Sequence, residues 1–183
     1  KNYSSGMRAR LGFAIATGMA DEAVELALKC ENITLCGFHC HIGSQIFESR
    51  PFITAAELML EFIAHTKTTK NYSADILNLG GGFGVKYLES QPTLNLDEKI
   101  SEVANAINQK CNELGIDVPK IAMEPGRSIV ADAGMTLYTV GSVKEIKGYK
   151  NYVSIDGGMP DNPRFALYES PYTVMLASRA NDK

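Results

Sequence analysis

Three short stretches of this chain could do chemistry, and each follows an apolar run. They are His39-Cys40-His41-Ile42-Gly43-Ser44-Gln45, Gly80-Gly81-Gly82-Phe83-Gly84 and Glu124-Pro125-Gly126-Arg127. An imidazole beside a loop hydroxyl, as at His41 and Ser44, suits a flat phosphorylated ligand. The glycine run lets backbone N–H groups approach an anion closely, because glycine reaches conformations other residues avoid. Glu124 and Arg127 put a carboxylate and a fixed cation at one point; alone they could be a structural ion pair. Beside an anion loop and an imidazole, the carboxylate could instead keep a heterocycle's ring nitrogen protonated.

Competing chemistries fit less well. Zinc wants a converging ligand set, but His39, Cys40 and His41 alternate in direction and no carboxylate stands at ligand spacing near them. The glycine run is neither common nucleotide motif: Val85 stands where a dinucleotide fingerprint needs Gly or Ala, and no Gly-Lys-Ser/Thr follows. A fourth stretch, Asp156-Gly157-Gly158-Met159-Pro160-Asp161-Asn162-Pro163-Arg164, reads as a surface loop. If a helical turn follows Pro163, Arg164 and Tyr168 share a face and could clamp a carboxylate.

The elements around these stretches follow from periodicity. Met19, Ala23, Leu26, Ala27 and Cys30 fall at helical spacing, with Asp21 and Glu22 in the first turn. Residues 33–42 read as a buried strand that breaks at Gly43. Pro51 opens a second helix, with Phe52, Ala55, Ala56, Met59, Phe62 and Ile63 as its apolar stripe and an end near Thr68. Residues 76–79 form a short strand. Ile100, Val103, Ala104, Ile107, Cys111 and Leu114 mark a third helix stopped by Gly115, and 121–123 form the next strand.

Helix and strand therefore alternate as in parallel βα units, and the chemical stretches all follow strand C-termini, the rim where such folds bind ligands. His39 and His41 should face that rim, and Cys36, Phe38 and Cys40 the other side. Beyond Ile129 the helical period vanishes. Residues 135–146 and 152–155 read as strands joined through Lys147-Gly148-Tyr149-Lys150. The expectation is an α/β fold, a partial (β/α)8 barrel over 1–132 followed by the start of an antiparallel β domain over 133–183, with the boundary near 131–134.

With 183 residues and 45% apolar content, the chain can bury a core. Its net charge of -3 lacks the basic footprint of nucleic-acid binding. Apolar runs are too short to cross a bilayer, and the four cysteines have no Cys-x-x-Cys spacing. The expectation is a cytoplasmic protein with no membrane and no nucleic-acid partner.

Taken in order, these four stretches, from His39 to Tyr168, resemble the diaminopimelate decarboxylase family within the fold-type III decarboxylases. The resemblance implies an alanine-racemase-like barrel that binds pyridoxal 5'-phosphate, a following β domain, and a homodimer. It implies that His41 stacks on the pyridine ring and that Ser44, Gly82 and Gly126 hold the phosphate, with Gly80 and Gly81 in the same loop. Glu124 would pair with the ring nitrogen, and Arg127, Arg164 and Tyr168 would hold the amino-acid substrate, with Arg127 also beside the cofactor. The implied reaction converts meso-diaminopimelate to L-lysine and carbon dioxide.

The sequence departs from the family at the lysine that forms the Schiff base, expected in a Lys-Ala-Asn-like context on an early strand. Lys29-Cys30-Glu31-Asn32 is a superficial match at the end of the first helix. A downstream Cys-Glu-Ser-Gly-Asp-like segment is also missing. The expectation is an internal piece of a longer enzyme, inactive alone. Sister decarboxylases acting on ornithine, arginine or a carboxylated polyamine, a non-catalytic homologue, and a phosphate-binding isomerase or aldolase barrel stay open as rivals.

Overall fold

The computed structural model describes residues 12–180. Its elements are α1 Met19–Leu28, β1 Gly37–His39, α2 Arg50–Lys70, β2 Ile76–Asn78, α3 Leu96–Leu114, β3 Lys120–Ala122, α4 Gly126–Val130, β4 Val140–Glu145, β5 Asn151–Ile155 and α5 Arg164–Tyr168. A single 3-10 turn, Ala177–Arg179, follows. The chain divides into two compact units, residues 12–84 with 94–127, and residues 85–93 with 128–180.

In the first unit β1, β2 and β3 form a parallel sheet in sequence order. Phe38 pairs with Leu77 and Leu77 with Ile121, so the three strands end level with one another. Parallel neighbours require a long crossover, supplied by α2 and α3. Pro51 stands in the first turn of α2, where a missing N–H costs nothing, and Asn71 ends the helix in the left-handed region at φ 51. In α3 the Asn95 side chain accepts from Glu98 N–H, and Gly115 stops the helix at φ 63.

The core lies between these helices and the sheet. Phe52, Ala56, Met59, Leu60 and Ile63 of α2 pack with Leu77 and Leu79 and with Val103, Ile107 and Cys111 of α3. The stripes expected on α2 and α3 are the faces that bury, except that Ala104 is exposed. In α1 the helix is as expected but its face is not: Ala20 and Val24 are buried against Phe62, while Met19 and Leu26 are exposed. The stripe through Ala20 and Val24 was there at the same spacing, and only the position of Phe62 selects it.

Strand β1 is much shorter than the run 33–42. Its partner β2 begins only at Ile76, opposite Gly37, because Ser73, Ala74 and Asp75 lead straight out of α2. Residues 33–36 thus have no strand opposite them, apart from Asp75 and Ile76 N–H groups donating to Cys36 O.

The second unit contains the hairpin β4–β5, antiparallel as expected, with an irregularity between Val140 and Val143. Gly148, at φ 78, makes the turn, and Tyr149 N–H donates to Ile146 O. Residues 135–139 are not strand: β5 ends at Ile155, opposite Val140, and the ladder closes one residue further on, where Asp156 N–H donates to Thr139 O at 3.2 Å and the Asp156 side chain, in place of a backbone carbonyl, accepts the Thr139 N–H.

Candidate active site

The ends of β1, β2 and β3 place the three chemical stretches side by side. Backbone bonds carry the sheet slightly past its strands: Cys40 N–H donates to Asn78 O, Leu79 N–H to Ala122 O and Glu124 N–H to Gly80 O, at 2.8–3.0 Å. The loops after β1 and β2 are zipped together as well. Ile46 N–H donates to Gly82 O at 2.9 Å and Gly84 N–H to Ile46 O at 2.8 Å, forming a parallel bridge between Ile46 and Phe83.

Phe83 anchors this arrangement. It is buried and stacked on Phe52 with ring centroids 4.3 Å apart, so the glycine run is pinned to the core in its middle. The motifs alone assign Phe83 no role, although a single large apolar residue inside a glycine run is the signal for such an anchor.

The glycines are required by close approach. A Cβ on Gly80 would stand 2.6 Å from Cys40 O and 2.9 Å from His41 Nδ1, and Gly80 has φ 67. A Cβ on Gly81 would strike the Glu124 carbonyl, and one on Gly82, at φ 113, the Gly43 carbonyl beside Ser44. One feature differs from the simple anion-loop reading: Gly80 N–H already donates to Asn78 Oδ1 at 2.8 Å and Gly84 N–H to Ile46 O. Gly80 serves the close packing of strand ends, and its N–H is not free for an anion.

His41 lies on this loop, with its Nδ1 3.4 Å from the Gly81 N–H that donates to it. Accepting there leaves Nε2 to carry the proton of a neutral ring. His39, on the same side as expected, has Nε2 3.7 Å from Glu124 Oε1. Phe38 and Cys40 face the core instead, whereas Cys36, expected on their side, is exposed before the strand begins, and burial raises the Cys40 thiol above its ordinary value. Among the described residues no three of His, Cys, Asp or Glu gather as a metal-ligand group.

The Glu124 carboxylate projects at the rim and accepts from Asn78 Nδ2 at 2.7 Å. Gly126 opens the short helix α4 with its N–H on Glu124 O at 2.8 Å, and Arg127 follows in the same turn. Lys29 caps α1 and pairs with Glu25 at 2.7 Å. In the second unit, a helical turn does follow Pro163, and Arg164 and Tyr168 stand four residues apart on α5.

Comparison with known proteins decides the family. Residues 2–131 match the family model described as the pyridoxal-binding domain of pyridoxal-dependent decarboxylases. The chain belongs to the pyridoxal-dependent decarboxylase family. It is 44% identical over 177 residues to the diaminopimelate decarboxylase of Bacillus subtilis (strain 168), covering 95% of this chain and 40% of that relative. Against the diaminopimelate decarboxylase of Staphylococcus aureus (strain COL) identity is 42%, covering 93% of this chain and 39% of the relative.

Among solved structures, the diaminopimelate decarboxylase of M. jannaschii in complex with L-lysine matches with a TM-score of 0.76 and 33% identity, over 88% of this chain and 36% of that one. The chain spans about 40% of the length of the two bacterial relatives. The family resemblance read from the four motifs is thereby borne out, as is pyridoxal phosphate as the cofactor.

The rim fits that cofactor. Its floor is backbone, since side chains at Gly80, Gly81 and Gly82 would collide with neighbouring strand ends, and an imidazole and a carboxylate border it. A flat ring bearing a protonatable nitrogen matches this donor and acceptor set.

Proposed function

We propose that this chain is the middle portion of a diaminopimelate decarboxylase, which removes carbon dioxide from the D-configured end of meso-diaminopimelate to give L-lysine. The observation carrying this reading is the junction of three strand ends, where the glycine run lies against both His41 and the Glu124 backbone. The names of the relatives at up to 44% identity point to the same substrate.

In this reading the first unit is part of a (β/α)8 barrel, within a division at 1–132 and 133–183, and the hairpin begins an antiparallel β domain. Consecutive parallel strands joined by helices support the barrel. When bound, pyridoxal phosphate supplies a protonated ring that takes up the electron pair left as the carboxylate departs. Glu124 accepts a hydrogen bond from the ring nitrogen and holds its proton. His41 presents its imidazole plane to the ring.

Ser44 and Gly82 hold the phosphate, with Gly80 and Gly81 shaping the loop and Gly126, whose own N–H donates to Glu124 O, letting the phosphate approach the start of α4 without a side chain in the way. The family resemblance implies that Arg127 lies beside the cofactor and holds substrate, and that Arg164 and Tyr168 hold a carboxylate of the amino-acid substrate. The intact protein works as a cytoplasmic homodimer.

The test is carbon dioxide release by the intact protein supplied with pyridoxal phosphate and offered meso-diaminopimelate, ornithine and arginine in parallel. Release from meso-diaminopimelate alone is expected. Release only from another amino acid would move the assignment to a sister decarboxylase, and no release from any would favour a non-catalytic homologue.

A further inference from the structure

Asn78 closes β2 at the rim, and both faces of its amide are engaged. Oδ1 accepts from Gly80 N–H at 2.8 Å, and Nδ2 donates to Glu124 Oε1 at 2.7 Å. The chemistry fixes which face is which, since a backbone N–H needs an acceptor and a carboxylate needs a donor. The second bond crosses from the end of β2 to the residue just past β3.

Glu124 has little else to hold it. Its side chain is 60% exposed, and His39 Nε2 stands 3.7 Å from the same oxygen, beyond good hydrogen-bond length. Among the described residues, the hydrogen bond from Asn78 is the one that sets the orientation of this carboxylate.

We infer that Asn78 is a positioning residue: it orients the Glu124 carboxylate toward the cofactor's ring nitrogen and, through Gly80, locks that orientation to the glycine loop. The inference rests on the pyridoxal phosphate reading of the site. An amide is required because it donates and accepts at once. Aspartate could still accept the Gly80 N–H but could not donate to a second carboxylate, and leucine, of similar size, does neither.

The experiment uses the intact protein as wild type, Glu124→Gln, Asn78→Asp and Asn78→Leu, each loaded with pyridoxal phosphate carrying 15N in the ring. The ring 15N resonance reports protonation independently of turnover. In Asn78→Leu the proton affinity of the ring nitrogen is expected to fall about tenfold, one pH unit, because a loosened carboxylate no longer faces it. In Asn78→Asp kcat is expected to fall about tenfold with KM and cofactor affinity within about twofold of wild type, because Gly80 keeps its acceptor.

Normal kcat in Asn78→Asp, with Asn78→Leu losing only cofactor affinity, would assign Asn78 to the glycine turn alone and overturn the inference. Should Asn78→Leu fail to fold, Asn78→Asp still decides. If Glu124→Gln leaves the ring resonance unchanged, the role of Glu124 falls and this inference with it. If Glu124→Gln moves the resonance and neither Asn78 variant changes resonance or kcat, the inference alone falls. A wild-type protein that takes up no pyridoxal phosphate overturns the reading of the site itself.

Discussion

Strands β1 to β3 and strands β4 and β5 are held by different forces. Every buried residue among those described lies in the first unit, where Leu77 of β2 is 0% exposed between α2 and α3. In β4 and β5 every residue is exposed, including Val143 and Val153 at 57% and 56%. The first sheet is stabilised by burial and positioned by packing. The hairpin is specified by its turn and its backbone ladder, and two strands with both faces in water are marginal by themselves.

The same contrast separates the candidate residues. His41, Gly80 to Gly82 and Glu124 are set by strand ends locked to a core, whereas Arg164 and Tyr168 stand on a five-residue helix with no buried residue. Geometry tight enough for cofactor chemistry is found where the backbone is over-determined, with a ring such as Phe83 driven into the core from the middle of the loop.

The strongest way to break this contrast is to delete methyl groups in each unit. Leu77→Ala should destabilise the chain by about 2–5 kcal/mol in urea unfolding, through lost burial and a cavity. Val153→Ala should stay within about 0.5 kcal/mol. Equal losses would mean that the hairpin is packed after all.

A smaller effect tests the backbone floor of the site. Gly81→Ala places a Cβ against the Glu124 carbonyl, and cofactor affinity should fall at least about tenfold. Gly134→Ala in the second unit has nothing within 4 Å of the added carbon, and its affinity should match wild type. Unchanged binding in Gly81→Ala would show that the close approach of Gly81 to Glu124 does not shape the site.

The smallest effect concerns two carboxylates held low for different reasons. Asp21 is lowered chiefly by its hydrogen bond from Lys70, at 2.9 Å, with His65 adding to it. Asp156 is lowered chiefly by the Thr139 backbone N–H. Because both folded values lie below the unfolded ones, each contribution is complete above the ordinary carboxylate range and is lost as pH falls through the folded value. Molar salt should move the Asp21 midpoint toward the ordinary value in a 13C titration and leave Asp156 nearly fixed, since screening acts on the ion pair. Equal movement would show that both are governed by long-range charge.

Local signals in the sequence were enough for the alternation of helix and strand, the stop at Gly115, the connection through Lys147-Gly148-Tyr149-Lys150, the apolar faces of α2 and α3, and the four motifs that carry the family. Each depends on neighbours within a turn or two of the chain, and these are legible in one dimension. The sequence did not determine which stripe of α1 is buried, how short β1 and β4 are, that Phe83 anchors the glycine loop, or that Asn78 joins Gly80 to Glu124. Those depend on register between strands and on groups as much as 46 residues apart in the chain. Only the parallel pairing of Leu77 with both Phe38 and Ile121 brings such groups within hydrogen-bond reach.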